Sequence, residues 1–445
     1  MDETRNFTDG GVLKSLIRFA IPVLAALFLQ SLYGGVDLLI VGQFAETADV
    51  SGVATGSLLM QTVTMVITGL SMGITIYVGQ KIGERNQEEA GKAIGAGIVL
   101  FCFLDVILAV ILAVFAKSFA SALHAPQEAY TQTCQYIMVC GIGIVFIGLY
   151  NLLGAVFRGI GDSKTPLFTV FIACICNIAG DLVFVAVIGL GAMGAALATV
   201  IAQAFSVFIS MFIIRKKALP FTFRREYIRF DKRIVLRELR LGTPIALQEF
   251  LVGISFLVIQ TVVNSIDVFA SAGVGVAEKV CGFIMLVPSA FSQSMSAFVA
   301  QNIGAGMKER AVKALRYGIA TSLCVAVAIS SFTFWKGNLL AGIFTKDAAV
   351  IVQAHVYLKA YAIDTLLTSV LFCYIGYYNG CGNTFFVMLQ GIIGAFGVRI
   401  PVAFLMSHLP NTTLFHIGLA TPVSSVCQII LCVLFMLYIN YKEKS

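Results

Sequence analysis

Charged side chains are scarce in this sequence. Asp, Glu, Lys and Arg together make up 12% of the 445 residues, whereas apolar residues make up 59%. Soluble domains contain roughly 25% charged residues. The composition therefore excludes an ordinary soluble protein.

Long apolar stretches take the place of the missing charge. Twelve of them are long enough to cross a bilayer as helices, for which about 20 residues suffice. Membrane β-strands need only about 10 residues and alternate in polarity, so these lengths predict an all-α polytopic membrane protein. The predicted transmembrane helices cover residues 15–43, 50–80, 91–117, 131–157, 163–188, 191–213, 238–263, 272–302, 311–335, 352–378, 383–408 and 414–440.

Motifs of enzymatic and metal chemistry are also lacking. The sequence contains neither HExxH nor a P-loop, and its four histidines have no metal-ligand spacing. The segment RGIGDSK includes GxGD, which supplies a catalytic aspartate in intramembrane aspartyl proteases. Here Asp162 is followed at once by Ser163 and Lys164 in a loop, and no Tyr-Asp partner pair occurs. We therefore expect neither an enzyme nor a bound metal cofactor.

Cysteine is present but lacks the spacing of a functional site. The sequence has eleven cysteines, nearly all within apolar stretches, and no CxxC. Cys174 and Cys176 fall on different faces of a helix. We interpret the cysteines as small apolar packing residues, without disulfides or metal.

The basic residues predict the orientation in the membrane. With the N-terminus inside, the inside segments hold 24 of the 30 Lys and Arg residues. The positive-inside rule then places both termini in the cytoplasm. Because topology explains the net charge of +7, we expect no nucleic-acid partner.

The chain contains an internal repeat. The segments VGQKIGERNQEEAGKA (78–93) and VAQNIGAGMKERAVKA (299–314) are identical at 8 of 16 positions and lie 221 residues apart. Each half holds six predicted spans, an even number, so both halves enter the membrane from the same side. This parallel arrangement is typical of one class of transporters. It predicts two parallel six-helix bundles around a central cavity.

The predicted boundaries are an N-terminal bundle over 1–214, a cytoplasmic basic linker over 215–240 and a C-terminal bundle over 241–445. We interpret the linker as a topogenic segment that lies on anionic lipid headgroups. Binding of another anionic partner is the alternative.

Two carboxylates interrupt the apolar spans of the first half. Asp37 lies in the first span and Asp181 in the fifth. A charge at the bilayer centre costs about 2.5–3.5 kcal/mol on insertion scales, so such residues usually line a cavity, relay protons or bind ions. Helical spacing places Gln30 on the face of Asp37, and Asn177 on the face of Asp181.

Two further polar side chains lie on neighbouring spans, Thr199 on the sixth and Tyr136 on the fourth. If these faces converge, two carboxylates share a pocket with amide and hydroxyl partners. Such a pair suits a proton carrier. The same oxygens suit Na⁺, with Asp37, Asn177, Asp181 and Thr199 as ligands.

The repeat provides an internal control for this site. At the offset of 221, the four predicted Na⁺ ligands correspond to Val258, Val398, Val402 and Ala420. A residue needed to build the fold should reappear in both halves. Because these residues do not, we assign them to function.

The second half has two buried carboxylates of its own, Glu249 and Asp364. We consider them as substrate-cavity residues that contact a cationic substrate. The alternative is structural, either pairing with Lys359 or Arg399 or a position at interfacial depth.

Taken together, the motifs resemble the multidrug and toxic compound extrusion (MATE) family. The residues that carry the resemblance are RGIGD after the fourth span, NIAGDLVF on the fifth, GAALAT on the sixth and FVAQNIGAG closing the eighth. The likeness covers essentially the whole chain. It is strongest to the DinF-like prokaryotic branch, which carries a carboxylate on the first span and Asn-x-x-x-Asp on the fifth.

The resemblance implies a function and its residues. In that branch, aspartates are thought to bind H⁺ or Na⁺ and to couple its movement to drug export. By resemblance the cation pocket comprises Gln30, Asp37, Tyr136, Asn177, Asp181 and Thr199, and Asn151 joins them. The Na⁺-coupled NorM-like branch uses a Glu on the seventh span and an Asp on the tenth. Glu249 and Asp364 lie about one turn from those positions, which leaves open whether the second half has a cation site.

The expected function is therefore secondary antiport, the export of lipophilic, often cationic drugs in exchange for H⁺ or Na⁺, without another cofactor. A flippase for a lipid-linked sugar is the main alternative, and a channel or receptor is a further one. The expected partners are small-molecule drugs or organic cations and membrane lipid. We expect a monomer in a bacterial cell membrane.

Overall fold

The computed structural model describes residues 7–217, 219–264, 267–410 and 412–442. The outermost ends of the two predicted bundles, 1–6 and 443–445, and residue 218 of the predicted linker lie outside the described residues. Every regular element of the described residues is a helix. The structure confirms the prediction of an all-α multi-pass protein.

The helices of the first half of the chain are α1 (Val12–Phe44), α2 (Thr47–Gly83), α3 (Gln87–Val114), α4 (Ala116–Ala122), α5 (Tyr130–Ile142), α6 (Ile144–Gly159), α7 (Lys164–Asp181) and α8 (Gly191–Lys216). Those of the second half are α9 (Lys232–Asn264), α10 (Val268–Ile284), α11 (Leu286–Gly304), α12 (Lys308–Ala341), α13 (Ala348–Gly380), α14 (Thr384–Ile392), α15 (Ile400–Ser407), α16 (Leu414–Gly418) and α17 (Ala420–Lys442). Short 3₁₀ turns cover Gln127–Ala129 and Arg225–Tyr227, and π-helical turns cover Leu182–Val187 and Ile393–Arg399.

Length and apolarity make these helices membrane spans. Among the described residues, eleven helical runs can cross a bilayer, and a bent pair brings the number up to twelve. The pair is Gln127–Ile142 and Ile144–Gly159, bent by 51°. It corresponds to the predicted span 131–157, so the fourth span is broken at Gly143.

The described residues form two compact units. Unit 1 contains the residues up to Gly10, Arg18–Ala246 and Ala300–Gly306. Unit 2 contains Gly11–Ile17, Leu247–Val299 and the residues from Met307 onward. Unit 1 therefore includes the predicted linker. The bundle boundaries at 214 and 241 stay a prediction.

Each unit has its own apolar core. In unit 1 the fully buried side chains include Ile74, Phe101 and Phe157. In unit 2 they include Tyr357 and Leu358. Burying one such side chain stabilises a fold by about 1.5–3 kcal/mol.

Two glycines bring the repeated segments into contact within unit 1. A Cβ at Gly83 of α2 would overlap the carbonyl oxygen of Gln301, and a Cβ at Gly304 of α11 would overlap that of Gln80. These pairs exchange places under the offset of 221. The segment that repeats in the sequence therefore packs against its own copy, backbone against backbone.

The predicted linker packs against α3, also through glycines. A Cβ at Gly91 would overlap the carbonyl oxygen of Thr222, and one at Gly95 that of Tyr227. Tyr227 is buried, whereas Arg224 and Arg225 are exposed. The placement of this segment on lipid headgroups stays a prediction.

Asp162, the aspartate of the GxGD segment, forms a helix cap. Its Oδ1 accepts hydrogen bonds from the backbone N–H groups of Lys164 and Thr165, both at 3.1 Å. Its Oδ2 accepts one from the Thr165 hydroxyl at 2.6 Å and one from Lys217 Nζ at 2.8 Å. The carboxylate thus holds the start of α7 and ties it to the residue after α8.

The same contacts determine the ionisation of Asp162, which lies outside the membrane spans. Burial alone would raise the pKa of its carboxyl group. The hydrogen bonds from Lys217 and Thr165 outweigh burial and hold the pKa below its ordinary value. Asp162 is therefore ionised at neutral pH.

Replacing the packed glycines should destabilise the protein. We expect Gly83→Ala and Gly304→Ala each to lower stability by about 1–3 kcal/mol, because the facing carbonyl belongs to the backbone and cannot rotate away. The measurement is thermal unfolding in detergent. The control is Gly275→Ala in α10, where a Cβ meets nothing within 4 Å in the part of the chain that the structure describes. That variant should be as stable as the wild type or more so, and equal losses in all three variants would contradict this packing.

Removing the charge at Asp162 should also destabilise the protein, by about 1–2 kcal/mol for Asp162→Asn at neutral pH. A carboxyl whose pKa is lowered by folding contributes stability above its unfolded pKa of about 3.9 and loses it as pH falls through the folded value. The difference between variant and wild type, measured by unfolding at several pH values, should therefore shrink in acid. A difference that is constant with pH would show that the charge of Asp162 is not involved.

Candidate functional site

Side chains from three helices of unit 1 meet around Asp37 of α1. Thr199 of α8 donates its hydroxyl to Asp37 Oδ2 at 3.3 Å. Asn177 of α7 donates its amide to Thr199 Oγ1 at 3.5 Å and also lies within hydrogen-bonding reach of Asp37. The faces that the helical spacing predicted do converge.

Asp181, the last residue of α7, completes the cluster. Its carboxyl lies within hydrogen-bonding reach of that of Asp37. Both groups are buried, with exposed fractions of 0% for Asp181 and 6% for Asp37. Two carboxylates in contact inside an apolar span repel each other unless a cation neutralises them.

The oxygens of this cluster outnumber the donors. Among the described residues, Asp37 Oδ1, Asn177 Oδ1 and both oxygens of Asp181 are buried and accept no hydrogen bond. A buried acceptor without a donor costs about 1–3 kcal/mol, and more when it is charged. Four such oxygens in one place match the preference of a proton or a hard cation for oxygen. The set can therefore hold H⁺ between the carboxylates, or Na⁺ among the oxygens.

The local backbone explains why the cluster forms here. Gly180 precedes Asp181 and Ala198 precedes Thr199, and a Cβ at Gly180 would come within 2.9 Å of the Ala198 Cβ. The missing side chain allows α7 and α8 to approach at the level of the site. Immediately after Asp181 the chain enters the π-helical turn Leu182–Val187. Turns of this kind occur frequently at functional sites.

The remaining predicted members of the pocket have other hydrogen-bond partners. Gln30 donates its amide to the Tyr150 hydroxyl at 2.7 Å. Asn151 accepts from the Thr68 hydroxyl at 3.0 Å and donates to the carbonyl of Ile147. Tyr136 is buried against Gly56 and interacts electrostatically with Asp37. Participation of these three residues in cation binding stays a prediction.

The sequence did not lead us to predict two polar residues that lie near the cluster. Gln203 of α8 donates its amide to the Tyr33 hydroxyl of α1 at 3.2 Å, and Tyr33 interacts electrostatically with Asp37. A signal was present: Tyr33 lies one helical turn before Asp37, and Gln203 one turn after Thr199. This hydrogen bond joins α1 to α8 beside the carboxylates.

The two predicted cavity residues of the second half lie in different environments within unit 2. Glu249 of α9 is exposed. Asp364 of α13 is fully buried, and its Oδ1 accepts a hydrogen bond from the Ser425 hydroxyl at 2.6 Å. Arg399, one of the two alternative partners of Asp364, interacts with it electrostatically. The other, Lys359, lies 6.0 Å from the ring centroid of Phe334.

Comparison with known proteins agrees with this architecture. The chain is 25% identical over 437 residues to the probable multidrug resistance protein YoeA of Bacillus subtilis, covering 96% of this chain and 94% of that protein. It is 25% identical over 416 residues to the multidrug export protein MepA of Staphylococcus saprophyticus, covering 92% and 90%. Among solved structures, it resembles the outward-facing conformation of a multidrug resistance MATE family transporter of the MOP superfamily. The TM-score is 0.93 at 19% identity, with 100% of both chains covered.

These structural likenesses confirm the fold class, and a sequence profile identifies the family. The profile of the MatE family matches residues 22–183 and 244–405. The two matches fall one in each half of the chain and together cover more than half of it. Members of this family are transporters and not enzymes, as the missing catalytic motifs predicted. The chain therefore belongs to the MatE family of multi-pass membrane transporters.

Proposed function

We propose that this chain is a secondary antiporter that exports drug-like small molecules in exchange for H⁺ or Na⁺ bound at Asp37 and Asp181. The names of its relatives, multidrug resistance and multidrug export proteins, support the export of varied small molecules. The observation that carries the coupling is the cluster of buried oxygens without donors around the two carboxylates. Such a cluster is stable when a cation occupies it and costly when it is empty.

Binding of the cation would change the position of α1 relative to α7 and α8. When Asp37 is neutralised, it no longer repels Asp181, so α1 can approach α7 and α8. When the cation leaves, the repulsion returns and favours a different position of α1. Exchange of cation for substrate then follows if substrate binding and cation binding favour opposite positions.

Two features of α1 support a change of this kind. Pro22 lies inside the helix, where it removes a backbone hydrogen bond. Gly34 and Gly35 lie within the helical turn before Asp37, and a Cβ at either would meet nothing within 4 Å in the described residues. Close packing therefore does not require these glycines, and glycine pairs are frequent positions of helix bending.

Energetics limit the stoichiometry. One charge that crosses 100 mV supplies about 2.3 kcal/mol, which supports a gradient of about 50-fold for a neutral substrate. Exchange of one proton for one monovalent cation moves no net charge, so only the pH difference would drive it. Export of a lipophilic cation against the membrane potential thus requires a pH gradient or more than one ion for each substrate.

Neutralising Asp37 should abolish coupling. In proteoliposomes, wild-type protein should export an ethidium-type dye under an imposed pH gradient or an imposed Na⁺ gradient. Asp37→Asn should export at the rate measured without a gradient, because its amide neither releases a proton nor balances a cation. Dye efflux is measured with each gradient and with none, and the effective gradient identifies the ion.

The matched control is Glu46→Gln, since Glu46 is exposed and its side chain makes no cap hydrogen bond. This variant should export as the wild type does. Gradient-driven export by Asp37→Asn at the wild-type rate would contradict the proposal. A wild-type export rate that neither gradient changes would also contradict the proposal. Lipid-linked substrates would then be the next to test.

Stiffening α1 should slow transport without unfolding the protein. Gly34→Ala and Gly35→Ala each favour the straight helix by about 1 kcal/mol. Thermal stability should stay equal or rise, while the dye export rate falls. Gly42→Ala, later in the same helix and also without a Cβ contact, should leave the rate unchanged. Unchanged export in all three variants would show that α1 does not bend at the glycine pair.

A further inference from the structure

The first described residue of the chain is bound at the end of α11. The backbone N–H of Phe7 donates a hydrogen bond to Gln301 Oε1 at 3.1 Å. The carbonyl oxygen of Phe7 accepts a hydrogen bond from Asn302 Nδ2 at 3.3 Å. All three residues are buried and belong to unit 1. Two adjacent side chains of α11 therefore hold both backbone polar groups of a residue that precedes α1.

The ring of Phe7 packs back against α1. Its centroid lies 5.0 Å from that of Phe19, and the two rings are perpendicular, an arrangement that aromatic pairs prefer. Gly10, between Phe7 and α1, has a φ of 75°, which glycine adopts at little cost. The chain can therefore turn here, so that the N-terminal segment lies along the helix that follows it.

Gln301 also binds the end of α6. Its Nε2 donates a hydrogen bond to the carbonyl oxygen of Gly159, the last residue of α6, at 2.8 Å. Its own backbone carbonyl lies against Gly83 at the end of α2. One glutamine thus joins the N-terminal segment, α6 and α11 at the place where the repeated segments contact each other. We call the contacts among Phe7, Gly83, Gly159, Gln301 and Asn302 the N-terminal junction.

The repeat shows which part of the N-terminal junction is specific to one copy. Under the offset of 221, Gln301 corresponds to Gln80, so the glutamine occurs in both copies. Asn302 corresponds to Lys81, whose ammonium group pairs with Glu84 at 2.7 Å. The amide that binds the N-terminal segment is therefore absent from the other copy. Because building the fold does not require this amide twice, a functional role is the better explanation for it.

We propose that Phe7 is a latch that holds the N-terminal junction closed and must be released before the end of α11 separates from α2 and α6. A carrier opens to one side of the membrane at a time, so contacts that close one side must break in each cycle. The requirement that the junction opens during transport rests on the proposed function. The effect of Phe7 on its closure does not.

The competing explanation is that Phe7 only stabilises the fold, and two buried positions distinguish the explanations. Ala300, next to Gln301, is fully buried in the core of unit 1. Cys281 is a native thiol buried in the core of unit 2. Opening of the N-terminal junction should expose position 300 alone, whereas global unfolding exposes both positions.

Thiol labelling of purified protein in detergent tests the latch. Every protein carries Ala300→Cys, and its reaction with a water-soluble maleimide is followed at position 300 and at Cys281 by mass spectrometry. Phe7→Ala removes the ring and should speed labelling at position 300 by about tenfold, with no change at Cys281. Phe7→Pro also removes the N–H that Gln301 accepts, so its labelling should be faster still. The matched control is Phe385→Ala in α14, which removes a 65% exposed ring and should not change either rate.

Transport kinetics give a second readout. When a binding site is reached only in the open state, its apparent affinity is reduced by the fraction of molecules that are open. Dye supplied on the side that holds the N-terminus should therefore show a KM about fivefold lower in Phe7→Ala than in the wild type, with kcat changed by less than about twofold. Phe385→Ala should keep the wild-type KM. A purely structural contact would change neither constant in the folded protein.

Unchanged labelling at position 300 in Phe7→Ala would overturn the proposal, and so would an increase that Cys281 shares. Faster labelling with an unchanged KM would show that this opening is not a step of transport, which also contradicts the latch. If Phe7→Ala does not fold, Phe7→Leu keeps most of the apolar volume and should speed labelling by about threefold. If neither gradient drives wild-type export, the antiport proposal fails, while labelling still decides whether Phe7 closes the N-terminal junction.

Discussion

The repulsion between two buried carboxylates is the interaction on which the proposed transport mechanism depends. Asp37 and Asp181 are buried with their carboxyl groups within hydrogen-bonding reach of each other, and the surrounding side chains supply fewer donors than acceptors. In water the repulsion would be weak, because the solvent screens it. Inside an apolar span it is large, so in the proposed mechanism a cation neutralises the site, and the position of α1 is linked to whether that cation is bound.

The packing of the helices determines where the two carboxylates lie. The close approach at Gly180 brings α7 to α8, and the π-helical turn begins directly after Asp181. Close backbone contacts at Gly83 and Gly304 hold the repeated segments together. The lack of close contacts at Gly34 and Gly35 leaves α1 comparatively free. Close packing of the neighbouring helices and open space beside the glycine pair of α1 are what the proposed cation-dependent displacement requires.

The sequence predicted the elements that follow from length and periodicity. Span lengths gave the all-helical membrane fold, and spacings of four residues placed Asn177 and Asp181 on one face. The convergence of α1, α7 and α8 was only an expectation, because contact between helices depends on packing that periodicity does not encode. The break at Gly143 was not predicted, because an apolar sequence has the same composition in a straight helix and in one bent by 51°.

The misses near the site have similar physical reasons. Tyr33 and Gln203 were not identified although each lies one turn from a predicted ligand, because neither carries a charge that would mark it within an apolar span. Gln30, which its spacing places on the face of Asp37, donates a hydrogen bond to Tyr150, and its part in cation binding stays a prediction. Arg399 was considered as a partner for Asp364, and the fold places the π-helical turn and α13 both against α17, without an ion pair between the two side chains among the described residues. Spacing along one helix is readable from sequence, whereas pairing across helices is not.

The most direct measurement is the release of ions when substrate binds to purified protein in detergent, where no membrane gradient exists. Wild-type protein should release protons into weakly buffered solution, or bound ²²Na⁺, as an ethidium-type dye is added. Asp37→Asn and Asp181→Asn should bind the dye and release less. Dye binding without ion release in the wild type, or equal release by all three proteins, would contradict a cation site at the two carboxylates.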